Sequence, residues 1–176
     1  MKSVFLIFVF LTLSVVLKAQ FQDSLTIDSV YSFEPIENKK EELINDIISH
    51  AKEFLGTPYK YAGTSPVGFD CSGFIYYVLG DFGFKITRTS YGMAEFGETV
   101  KLAQVKPGDL LFFKGRNLNS KTVGHVALVV EHDEEGIKMI HASSSRGIVI
   151  DLFTNSSYYV PRFLKAKRLD YGVETD

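Results

Sequence analysis

Apolar positions recur with helical spacing from Glu41 to Leu55, at Leu43, Ile44, Ile47, Ile48, Ala51, Phe54 and Leu55. That period predicts an amphipathic helix, with Gly56 as its stop. Thr57 to Phe69 is rich in Gly, Pro, Ser and Thr and reads as a loop. Asp70 is a favourable N-cap for a second helix with Phe74, Ile75, Val78, Leu79 and Phe82 on its apolar face and Gly83 at its end. Ser90 to Phe96 predicts a short third helix. After the turn signal Lys106-Pro107-Gly108 the pattern changes to strands, placed at Asp109–Lys114, His125–Glu131, Ile137–Ala142, Ile148–Phe153 and Phe163–Leu169. Helices followed by an antiparallel meander predict an α+β domain with the helices packed on the sheet.

The N-terminus breaks this pattern. Lys2 precedes an apolar run from Val4 to Leu17, and Ala19 stands where cleavage would occur. Residues 1–19 read as a secretory signal peptide, with a retained membrane anchor as the alternative. The run is shorter than the ~20 residues of a spanning helix. Residues 20–38 read as a linker or arm, 39–170 as the catalytic domain and 171–176 as a tail. The net charge of -2 and the absence of a basic block argue against a nucleic-acid partner.

An exported chain places its single cysteine, Cys71, in an oxidising compartment without a partner. Cys71 is then either a small buried hydrophobe or a reactive thiol. It follows the cap of the second helix, where the dipole favours a thiolate and free N–H groups can hold an oxyanion. The charge of Asp70 opposes the thiolate, so a nearby histidine is needed to activate the sulfur. Of the four histidines, His50 and His132 read as boundary and surface residues. His125 and His141 lie on adjacent strands joined by a tight turn around Glu134 to Gly136. Pairing 130 with 137 and 126 with 141 makes them close neighbours. A base oriented by a second polar group is the general pattern of an activated thiol. A thiolate–imidazolium pair of this kind would keep the cysteine reactive well below the ordinary thiol pKa of ~8.5. Zinc ligation, a serine nucleophile turn and a phosphate loop lack the required spacings. No cofactor or metal is expected.

Several segments resemble the NlpC/P60 cysteine peptidases: Gly56-Thr57-Pro58-Tyr59, Gly63-Thr64-Ser65-Pro66, Gly68-Phe69-Asp70-Cys71-Ser72-Gly73-Phe74, Arg88-Thr89-Ser90, Lys106-Pro107-Gly108-Asp109-Leu110 and Gly124-His125-Val126-Ala127-Leu128-Val129. The resemblance runs from Glu41 to Leu169 and implies a papain-like fold. It implies Cys71 as nucleophile, His125 as base and His141 as the orienting residue. It places Tyr59 beside the thiol, and Asp70, Ser72, Arg88 and Ser90 at the substrate site, with Asp70 suited to a free amino group. The family often carries Trp and a glycine pair where this chain has Tyr61-Ala62-Gly63. The implied activity is hydrolysis of an amide in peptidoglycan stem peptides, between D-glutamate's side-chain carboxyl and a diamino acid, by a secreted or periplasmic enzyme. A non-catalytic wall-binding module and a thiol acyltransferase or amidase on the same fold are the alternatives.

Overall fold

The structure is a computed structural model that describes residues 36–172. The expected signal segment and most of the arm lie outside these residues. Helix α1 spans Ile36–Glu53. It buries Ile47, Ile48 and Ala51, with Leu43, Ile44 and Phe54 packed alongside. It starts before the expected Glu41, and Leu55 falls beyond its end and is exposed. The stretch read as pure loop holds a small hairpin, β1 (Thr64–Ser65) with β2 (Gly68–Phe69). Helix α2 covers Cys71–Asp81, with Asp70 as its N-cap accepting from the Gly73 amide. Helix α3 is one turn, Ser90–Met93, capped by Thr89.

The remaining strands are β3 (Glu98–Val100), β4 (Leu110–Lys114), β5 (Val123–Asp133), β6 (Gly136–Ser143), β7 (Gly147–Leu152) and β8 (Phe163–Arg168). They form one antiparallel sheet in the order β3-β8-β4-β5-β6-β7. The meander therefore holds only from β4 to β7. The last strand does not extend it beyond β7; it returns to lie between β3 and β4. Strand β3 was not anticipated, because three residues are too few to show a period.

Alternation gives the sheet two apolar faces. Leu110, Phe112, Val126, Leu128, Val130 and Ile140 pack with the helices. Leu111, Phe113, Ala127, Val129, Met139 and Ala166 form a second cluster, which Val105, Phe153 and Tyr159 close from the connections and Phe163 from the start of β8. Each large side chain so buried contributes about 1.5–3 kcal/mol. Asp109, only 1% exposed, accepts from the Lys106 amide and from two nitrogens of Arg168. Tyr171 is not part of a tail: it is buried and its hydroxyl donates to the Gly108 carbonyl at 2.6 Å. The Lys-Pro-Gly-Asp turn is thus tied down by the C-terminal strand. Among the described residues no helix is long and apolar enough to cross a membrane.

Candidate active site

The N-terminus of α2 and the neighbouring ends of β5 and β6 meet in a cleft of about 570 Å³, lined among others by Tyr59, Cys71, His125 and His141. Cys71 is held where α2 begins because two glycines let the preceding loop cross the helix. A Cβ on Gly73 would stand 1.9 Å from the Gly63 carbonyl oxygen. The Cys71 pKa is raised, first by burial and then by the negative charge of Asp70. The backbone N–H groups of Val126, Ser72 and Cys71 act in the opposite direction but do not reverse the shift.

The two imidazoles share a sheet face for a reason that the simple turn register missed. Leu128 pairs with Ile140 and Val129 with Met139, and the register shifts between Val129 and Glu131. The expected pairing of 126 with 141 would have put the rings on opposite faces, since directly opposed residues share a face. The shift at the bulge moves β6 by one residue, which sets His141 beside Ala127 and diagonal to His125. The ring nitrogens His125 Nε2 and His141 Nδ1 lie 3.2 Å apart. Gly124 meets the backbone of Gly115: a Cβ there would lie 2.7 Å from the Gly115 Cα.

The chain of contacts continues past His141, which is 1% exposed. His141 Nε2 is 3.0 Å from Asp151 Oδ2 on β7. The Tyr159 hydroxyl donates to the same oxygen at 3.1 Å, and the Arg146 guanidinium grips both Asp151 oxygens. These contacts hold the Asp151 carboxyl well below the usual carboxylate range, the His141 hydrogen bond first and Arg146 second. The carboxylate can only accept, so His141 donates from Nε2. With both rings neutral, His141 Nδ1 then accepts from His125 Nε2–H. His125 Nδ1 is left as a free acceptor. Asp151, Tyr159 and Arg146 were absent from the expected site. The sequence carried no clear signal for Asp151, which lies one strand over and two residues beyond the Val149 that pairs with His141. Tyr159 sits in an irregular connection and had none.

His125 is pushed down to about 3, by burial first and by His141 second. With the thiol pushed up as well, both shifts favour thiol and neutral imidazole over a thiolate–imidazolium pair. Among the described residues no hydrogen bond joins Sγ to His125. Catalytic contacts are commonly loose without substrate. Tyr59 is raised by burial and then by the Cys71 and Asp70 charges, which places its phenol in the field of the sulfur.

Asp70, Ser72 and Arg88 come together on the far side of the helix start. Arg88 donates to Asp70 at 2.7 Å, to Ser72 Oγ at 2.9 Å and to the Gly63 carbonyl at 3.3 Å. Asp70 also accepts from the Gly73 amide at 2.7 Å and from Ser72 Oγ at 3.3 Å. Its carboxylate is thus engaged in holding the loop on the helix. Ser90 is buried at the first position of α3. Asp70, Ser72 and Arg88 gather at the helix start that carries Cys71, but neither they nor Ser90 line the cleft.

The NlpC/P60 family model matches residues 56–168, which contain every one of these residues. The chain belongs to the NlpC/P60 family. It is 36% identical over 124 residues to the gamma-DL-glutamyl hydrolase of Bacillus subtilis (strain 168), covering 70% of this chain and 29% of that one. It is 37% identical over 126 residues to the probable peptidoglycan endopeptidase LytE of the same organism, covering 71% and 34%. The chain thus spans about a third of the length of these two NlpC/P60 relatives. A solved NlpC/P60 family structure from Bacillus cereus ATCC 10987 superposes with a TM-score of 0.63 at 34% identity, over 71% of this chain and 39% of that one. The papain-like α+β fold that the resemblance implied is the fold observed.

Proposed function

We propose that this NlpC/P60 chain is an exported cysteine peptidase that hydrolyses a γ-D-glutamyl amide in peptidoglycan stem peptides, with Cys71 as nucleophile and His125 as base. The observation that carries the reading is the relay His125–His141–Asp151, which leaves His125 Nδ1 unprotonated in the cleft that Cys71 also lines. When a substrate carbonyl arrives, Sγ attacks its carbon as His125 Nδ1 takes the thiol proton. The oxyanion is held by N–H groups at the start of α2, with Tyr59 beside it. Collapse breaks the C–N bond, and the leaving amine takes the proton back from His125. Water, deprotonated by the same nitrogen, attacks the thioester and releases the acid and the thiol. His141 orients the base, and Asp151 fixes the tautomer of His141. A neutral resting pair suits this general-base route, since the proton moves only when the substrate is in place. The apolar N-terminal run and the wall-directed relative support export.

The test is mass spectrometry of purified peptidoglycan fragments incubated with protein lacking residues 1–19. Products split at the γ-D-glutamyl bond are expected from the native chain and none from Cys71→Ala of unchanged thermal stability. A Cys71→Ala protein that cleaves at the native rate refutes the nucleophile. A native chain that binds fragments without cleaving them points instead to the wall-binding alternative.

A further inference from the structure

The five arginines of the chain divide sharply. Arg88, Arg146 and Arg168 each pair with an aspartate. Among the described residues Arg116 and Arg162 have no carboxylate partner, and both line the catalytic cleft. Lys114 lines it as well, its ammonium donating to the Leu118 carbonyl at 2.9 Å. Among the described residues the sole carboxylate in the lining is Asp151, already gripped by Arg146. A chain of net charge -2 therefore carries a positive cleft.

Arg162 is set up as a fixed donor. Its guanidinium lies over the Tyr158 ring at 3.8 Å, and one terminal nitrogen donates to the Tyr158 carbonyl at 2.8 Å. Its Nε is buried without a hydrogen-bond partner among the described residues. Stacking orders the planar group in advance, so little rotamer freedom is lost when its remaining terminal nitrogen takes an anion. Arg116 comes from the β4–β5 connection, is exposed, and lines the same cleft as Cys71 and Tyr59.

We propose that Arg116 and Arg162 form a carboxylate subsite beside the catalytic thiol, through which the cleft selects γ-glutamyl chains by the free α-carboxylates that flank the scissile amide. This rests on the γ-glutamyl reading above. A γ-linked glutamyl unit continues through its side-chain carboxyl and so presents one α-carboxylate at every residue, which an ordinary α-linked peptide does not. A guanidinium meets such a group with charge-assisted, often paired hydrogen bonds. In a partly dry cleft these bonds are stronger than at an open surface.

The test uses two probes, a γ-linked D-glutamate trimer and the same trimer with its α-carboxylates converted to carboxamides. Binding of the trimers is read by calorimetry on Cys71→Ala, and cleavage of a γ-D-glutamyl stem peptide on the chain with Cys71 intact. The carboxylate trimer should bind at least about tenfold more tightly, the factor that one charge-assisted hydrogen bond carries. The margin should shrink at high salt. Arg116→Gln and Arg162→Gln should each remove most of it, and Arg162→Lys should restore part. Arg116→Gln changes an exposed residue and decides the matter if Arg162→Gln does not fold. Equal binding of the two trimers, or a full margin retained in Arg116→Gln, overturns the subsite. A margin that depends on the arginines without cleavage keeps the subsite and refutes the peptidase; cleavage without a margin does the reverse.

Discussion

Replacing Asp151 with asparagine changes one oxygen to an amide nitrogen and removes one charge, at a residue two hydrogen bonds away from the base. The native carboxylate only accepts, and this fixes the proton of His141 on Nε2. An asparagine can turn its NH2 toward His141 Nε2, a choice that Arg146 encourages by needing the amide oxygen for itself. His141 then carries its proton on Nδ1 and donates to His125 Nε2 across the 3.2 Å contact. His125 is left with its proton on Nδ1, the nitrogen that should receive the thiol proton. The lost interaction is one charge-assisted hydrogen bond to a buried ring, about 1.5–3 kcal/mol. As a barrier, that is a fall in kcat of about 10–150-fold with KM nearly unchanged. Steady-state kinetics on a γ-D-glutamyl stem peptide measures both constants, and thermal unfolding checks that the fold is kept. Asp151→Glu, which keeps the charge, should recover part of the loss. A kcat within twofold of the native value, or a loss confined to KM, refutes the tautomer argument.

Two further outcomes test other parts of the structure. Because burial and Asp70 raise the Cys71 pKa and burial lowers that of His125, the thiol stays protonated at neutral pH, and iodoacetamide alkylation should rise through a midpoint above ~8.5; a midpoint below neutrality that moves up in His125→Ala would establish the ion pair instead. Ala62 adopts a left-handed conformation, φ +59°, which glycine takes without strain. That conformation costs a non-glycine residue about 1–2 kcal/mol, partly offset by the greater unfolded freedom of glycine, so Ala62→Gly should gain about 0.5–1 kcal/mol in urea unfolding, and no gain would mean that the loop carries no strain.

Much of this architecture was readable in the residues themselves. The α1 and α2 faces follow from a 3.6-residue period, and Asp70 was recognisable as a cap because its carboxylate answers a free amide three residues on. Strands β4 to β7 were visible because their apolar runs are long and their turns short. The return of β8 between β3 and β4 was not, since a strand's sequence reports which faces it buries and not which neighbour it joins. The β5–β6 bulge was invisible for a related reason: one extra residue changes no composition yet decides the face on which His141 emerges. Cys71 and His125 stood out by residue type in an unusual setting. Asp151 did not, because an aspartate near a strand end ordinarily faces solvent, and only the register across β6 shows what it holds.

The position of β8 also bears on how the protein comes into being. It is the last strand among the described residues, yet it is an interior strand of the sheet. During synthesis the cysteine and both imidazoles leave the ribosome well before residues 163–168. Until those residues arrive, β4 has an open edge, Leu111 and Phe113 lack Ala166 and Phe163, and Asp109 lacks Arg168. Long-range pairing of this kind forms late in folding. Until then the nascent polypeptide is one strand short of its sheet, with β4 open to pairing and the second core unclosed, and a chain cut short before residue 163 stays in that state.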